Sequence, residues 1–78
     1  MGGIPKPTPC FLDLMEKHRV IAGKQIWISP ERNRLYTWDS LHGEIEVFDK
    51  NGYHLGSMDA LTGKLIKPAV KGRRIHHD

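Results

Sequence analysis

A chain of 78 residues with 38% apolar residues and a formal net charge of +3 makes one domain with a thin core, because a fold of this size buries only about 60% of the surface its unfolded chain exposes. Its single cysteine, Cys10, excludes an internal disulfide, and no C-x-x-C spacing indicates a structural metal. No apolar run approaches the roughly 18 residues of a membrane span, and MGGIPKPTP lacks the charged-then-apolar order of a signal peptide, so a soluble domain is expected.

The opening GGIPKPTP carries Pro5, Pro7 and Pro9, which remove amide donors and favour extended backbone, so residues 1–9 read as an arm or linker and 10–78 as the single domain. In CFLDLMEKHRVIAG, the residues Phe11, Leu14, Met15, His18 and Ile21 or Ala22 fall near a helical spacing. Thr8 or Pro9 can start that helix and Gly23 can stop it. From Lys24 the period changes. KQIWIS reads as a strand ended by Pro30, PERNR as a turn, and LYTWD as a strand with Tyr36 and Trp38 on one face and Leu35, Thr37 and Asp39 on the other. DSLHG connects to EIEVF, where Ile45 and Val47 define the covered side and Glu44 and Glu46 project from the opposite face. Asn51 and Gly52 mark a hairpin turn into YHLGSM. DALTG makes a further turn before KLIK, Pro68 breaks that strand, and the tail can add an edge strand near Arg73 to His76. The expected fold is therefore α+β, a short N-terminal helix packed on a small, highly twisted antiparallel meander.

Charge is unevenly distributed. Between residues 39 and 59, Lys50 stands alone against Asp39, Glu44, Glu46, Asp49 and Asp59, whereas residues 63–78 hold Lys64, Lys67, Lys71, Arg73 and Arg74 against Asp78. A polyanion would be drawn to the basic flanks and repelled by the acidic centre, unless that centre acts on it chemically. WDSLHGEIE, residues 38–46, is open to two readings: a polar turn followed by a solvent-facing strand, or a proton-transfer site. In the second, a carboxylate and an imidazole on either side of a ribose phosphodiester take the 2′-hydroxyl proton and protonate the 5′-oxygen, an Asp orients the imidazole, and an Arg stabilises the phosphorane. His42, His54, His76 and His77 show no metal-binding spacing, and His76 and His77 read as a flexible terminal pair. Ser40 close to His42 on a turn does not make a hydrolase triad.

The run RLYT, the WDSLHGEIE core, the following HLGSMDALTGK and the basic tail closely resemble the cytotoxic ribonuclease domain of the ribosome-inactivating colicins and cloacin. The resemblance spans residues 27–78, with a weaker echo in GIPK. It implies a bacterial toxin domain that cuts 16S ribosomal RNA in the decoding centre without a metal ion or other cofactor. It also implies that the domain is delivered to act in the cytoplasm of a target cell. By position, Asp39, His42 and Glu46 match the family's catalytic trio, Arg73 its catalytic arginine and Glu44 a supporting acid. Glu46 is then the base, His42 the acid, Asp39 its partner and Arg73 the stabiliser. Arg32, Arg34, Lys64, Lys67, Lys71 and Arg74 would hold phosphates, and an acidic immunity protein would cover the basic surface. The sequence departs from the family in CFLDLMEKHRVIAGKQ, which stands where relatives carry Gly, Lys and Arg, and in a hairpin around Asn51 that is one residue shorter. The competing expectation is a non-catalytic RNA- or ribosome-binding β module using Tyr36, Trp38 or Tyr53 as stacking platforms. A plain interaction domain whose acidic strand binds a basic partner is a third.

Overall fold

The computed structural model describes residues 3–75. Six strands, β1 Glu16–Ile21, β2 Lys24–Ile28, β3 Arg34–Asp39, β4 Glu44–Asp49, β5 His54–Met58 and β6 Leu65–Pro68, form one antiparallel sheet in chain order, each paired with the next. A meander follows from the short connections, which leave no length for a crossover.

The α+β expectation is overturned, because the N-terminal helix does not form. Among the described residues the helical structure is a 3-10 turn at Phe11–Leu14, which starts where Cys10 N–H donates to Asp13 Oδ2 at 2.9 Å. Residues 16–21, assigned from their spacing to that helix, are strand β1. Gly23 is not a helix stop but half of a hairpin turn. Ala22 and Gly23 both have positive φ, 52° and 81°, the backbone twist that matches two antiparallel strands. Once KQIWI is a strand, a two-residue turn commits EKHRVI to pair with it, from Glu16↔Ile28 to Ile21↔Lys24. The supposed helical stripe was illusory for a second reason. Leu12, absent from the stripe, is 1% exposed, whereas Leu14, counted in it, is 68% exposed.

Both faces of the sheet are covered. On one, Tyr36, Ile45, Val47 and Met58 pack with Cys10, Leu12 and Ala60, and Trp27 and Trp38 flank them. On the other, Ile26, Ile28, Leu35 and Phe48 cluster with Ile21 and Ile75 closing over them. Each such apolar side chain taken from water contributes about 1.5–3 kcal/mol. The alternation expected for EIEVF is present, but the face carrying Glu44 and Glu46 is not open to solvent, since Phe48 beside them is 3% exposed and Glu46 itself 5%.

At the far hairpin, Asp49 Oδ1 accepts the N–H groups of Asn51 and Tyr53, Gly52 alone takes positive φ, and a bulge between Val47 and Phe48 sets Phe48 opposite His54. The tail runs beside this end, where His54 N–H donates to Arg73 O and Ile75 N–H to Gly52 O. In place of an edge strand, the described part of the tail makes an isolated bridge, Tyr53↔Arg74. His76 and His77 lie outside the described residues.

Candidate functional site

The β3–β4 hairpin brings the expected residues onto one face. Asp39 pairs with Glu44 and Thr37 with Glu46, so Asp39, Thr37, Glu44 and Glu46 share a side of the sheet. Asp39 therefore stands about 7 Å along the strand from the rung of Glu46. Two hydrogen-bonded groups result.

The first is Asp39 with His42. Asp39 Oδ1 accepts the N–H groups of Leu41 and His42, at 3.0 and 3.2 Å, and Oδ2 lies 2.8 Å from His42 Nδ1. Burial pushes the Asp39 carboxyl up, but the hydrogen bonds from the His42 ring and from the His42 and Leu41 amides outweigh it. Asp39 is therefore held below its ordinary value of 3.8. An ionised carboxylate only accepts, so His42 carries a proton on Nδ1, and Nε2 is the ring nitrogen not committed to Asp39. The His42 side chain is 54% exposed and Asp39 17%. The imidazole is thus oriented by a partner and open to a substrate.

Because the folded state lowers the Asp39 pKa, its stabilisation is complete above 3.8 and is lost as pH falls through the lower folded value. We expect the stability gap between wild type and Asp39→Ala, measured by urea unfolding from about pH 5 to about pH 2, to shrink as pH falls. A gap independent of pH would show that the ionised carboxylate does not brace the turn.

The second group is Glu46 with His54 and Arg73. Glu46 Oε1 lies 2.7 Å from His54 Nε2, and Glu46 Oε2 accepts from Arg73 Nη2 at 2.7 Å. On the other side of the imidazole, Val70 N–H donates to His54 Nδ1 at 2.9 Å. That amide settles the tautomer. Nδ1 is an acceptor, so the ring proton sits on Nε2 and is donated to Glu46. Glu46 and His54 are buried, with side chains 7% and 1% exposed, while Arg73 is half exposed at 50%. Each carboxylate oxygen retains acceptor capacity beyond its one donor. Access to it runs through a cleft of about 260 Å³ lined by Ile21, Ile26, Thr37, Phe48, Arg73 and Ile75.

Sequence reasoning missed His54, treating it only as a metal ligand to be dismissed. The register sets His54 opposite Phe48, on the face of Glu46 but one pair along from it, and only because of the bulge between Val47 and Phe48, which no sequence signal marks. Nothing in the sequence reveals the Val70 amide behind the ring.

Glu44, marked as a supporting acid, is bridged to Lys67 with Nζ to Oε1 at 3.1 Å. Asp39, His42 and Glu44 offer possible metal-ligand atoms within 4.8 Å of one another, but these donors already serve His42 and Lys67. Arg32, Arg34, Lys64, Lys67, Lys71 and Arg74 are all exposed. Three of the six are engaged at their heads: Arg32 with Glu16 at 3.4 Å, Lys67 with Glu44, and Arg74. Arg74 lies 4.8 Å over the Tyr53 ring and donates to Asn51 O. Of the proposed stacking platforms, Tyr36 is in the core at 5% exposure and Tyr53 is 50% exposed. No described helix is long and apolar enough to cross a membrane.

The chain is 43% identical over 50 residues to cloacin of Escherichia coli, covering 63% of this chain and 9% of the relative. It is 43% identical over 74 residues to colicin E3 of Escherichia coli, covering 94% of this chain and 12% of the relative. With colicin-E6 of the same organism it shares 40% over 50 residues, covering 63% of this chain and 9% of the relative. The chain thus spans a small fraction of the length of the curated relatives it matches. The profile of the family described as Cytotoxic matches residues 15–76, so this chain belongs to the Cytotoxic family, the toxin-domain family of the colicins and cloacin.

Proposed function

We propose that this domain is a toxin endoribonuclease that cleaves 16S ribosomal RNA in the decoding centre and so stops translation. The observation that supports this reading is that one hairpin carries Asp39 and Glu46 on one face, Asp39 bonded to the exposed His42 ring and the buried Glu46 to Arg73 from the tail, the two carboxylates separated by about two residues of strand.

A phosphodiester seated between them meets Glu46 on the side of the ribose 2′-hydroxyl and His42 Nε2 on the side of the departing 5′-oxygen. Glu46 removes the hydroxyl proton, the 2′-oxygen attacks phosphorus, and the 5′-oxygen leaves with a proton from His42, giving a cyclic phosphate and a free 5′-hydroxyl. Asp39 accepts from His42 Nδ1 and so holds the ring in the orientation that leaves Nε2 for the departing oxygen. The Arg73 guanidinium, one N–H of which donates to Glu46, stabilises charge on the phosphoryl oxygens. His54 holds Glu46 in place from behind. The exposed Arg34, Lys64, Lys71 and Arg74 supply sequence-independent attraction for the RNA backbone. In this reading the domain needs no metal or other cofactor. It is delivered from outside, works in the target cell's cytoplasm, and is neutralised in the producer by an acidic immunity protein on the basic surface.

Incubation of the purified domain with intact ribosomes, with and without chelator, tests the proposal on one RNA gel. We expect a single discrete fragment pair from the small-subunit RNA, unaffected by chelator and diminished by high salt. Retention of RNA on the domain with no new ends would favour the non-catalytic binding module. A fragment that disappears with chelator would overturn the metal-free mechanism.

A further inference from the structure

We propose that the N-terminal arm, Gly3 to Lys6, is a positioning element that straps the His42 turn to the sheet, an inference that rests on the ribonuclease reading for its catalytic consequence.

The arm has no regular secondary structure, yet it is tied at points that bracket the dyad. Ile4 N–H donates to Ser40 O at 2.7 Å, and Trp38 Nε1–H donates to Ile4 O at 2.9 Å. Trp38 and Ser40 are the two chain neighbours of Asp39. The Ile4 side chain also lies against the turn's last residue, its Cδ1 standing 3.0 Å from where a Cβ on Gly43 would be. One step earlier, the backbone approaches so closely that a Cβ on Gly3 would come within 2.5 Å of Ser40 O. Glycine is the residue that permits such an approach. Farther along, Lys6 Nζ lies 5.9 Å over the Trp27 ring and 3.9 Å from Asp13 Oδ1, extending the strap across β2.

These contacts are not needed to make the sheet. Ile4 is 49% exposed and belongs to neither core cluster. The turn closes by its own bonds, from Gly43 N–H to Asp39 O and from the Leu41 and His42 amides to Asp39 Oδ1. What the arm adds is a fixed height of the turn above the sheet, hence a fixed distance from His42 Nε2 to whatever lies over Glu46. A proton donor works only within hydrogen-bond reach, and a misplacement of about 1 Å can cost on the order of 100-fold in rate.

The test uses the full chain with Gly3→Val, which forces the arm off Ser40, and Ile4→Pro, which deletes the donor to Ser40. Both keep Lys6. Ile4→Val serves as the conservative replacement that keeps the amide. Single-turnover cleavage of ribosomal RNA should fall about tenfold or more at saturating ribosomes, with the half-saturating concentration moved less than about threefold and the urea midpoint near wild type. Ile4→Val should retain the wild-type rate. Hydrogen exchange at the Leu41 and His42 amides should accelerate in the first two variants and not in the third. Wild-type rates in Gly3→Val and Ile4→Pro, or losses that follow the urea midpoint or appear only in half-saturation, would overturn the proposal. If the wild type itself cleaves nothing, the ribonuclease reading falls, and the arm is judged by exchange alone: unchanged protection at Leu41 and His42 overturns it.

Discussion

Replacing Glu46 with glutamine should reduce ribosomal RNA cleavage by about 10²–10⁴-fold, the usual worth of a general acid or base. It should also destabilise the domain, which a change of nearly identical shape at an exposed site would not. The carboxylate faces two donors, His54 Nε2–H and Arg73 Nη2–H. The histidine cannot accommodate an amide by moving its proton, because Val70 N–H already occupies Nδ1. Glutamine has one oxygen for two donors, so its NH2 group must point at one of them, and a buried mismatch of this kind costs about 1–3 kcal/mol. Cleavage is therefore to be measured where urea titration shows Glu46→Gln fully folded. Near-wild-type cleavage by the folded variant would remove Glu46 from the chemistry and leave it a structural anchor for the tail.

The two central histidines should give opposite signatures. His42→Ala loses an exposed ring and one hydrogen bond. It should lower cleavage by about 10²–10⁴-fold while changing stability by no more than about 1 kcal/mol. His54→Ala empties a buried position, leaves Glu46 Oε1 and the Val70 amide short of a partner, and removes a ring packed edge-on against Phe48 at a centroid distance of 5.3 Å. It should cost about 2–4 kcal/mol, a large part of the margin of a domain this small. Single-turnover kinetics beside urea unfolding separates the two. Should His42→Ala cleave normally, the proton donor lies elsewhere in the site.

The sheet from Lys24 onward was legible because each strand there carries its own signal. KQIWI and RLYTW are rich in β-branched and aromatic residues, EIEVF alternates, and Asn51-Gly52 and Asp59–Gly63 mark turns. The first hairpin was not legible. EKHRVI has few apolar residues and lies at the sheet edge, so its burial pattern is nearly all exposed. Its strand character comes from the Ala22-Gly23 turn and its partner rather than from its own period. The opposition of Asp39 and Glu44 could be read from the D-S-L-H-G connection. The closure of Ile21 and Ile75 over the face of Glu46 could not, because it joins segments from opposite ends of the chain. For the same reason the buried, doubly bonded state of Glu46 was invisible in a strand that reads as acidic on one side.

The ladder pairing of Thr37 with Glu46 and Asp39 with Glu44 gives a rule of parity for judging relatives. In a pleated ribbon, deleting one residue between the two glutamates inverts every side chain beyond it. A homologue shortened in that way could keep an aspartate, a histidine and a glutamate in order, yet drive its carboxylate into the hydrocarbon around Tyr36 and Met58 and leave the tail arginine with nothing to hold. Such a toxin gene would look intact and be harmless, so screening for potency should count spacing before it counts letters.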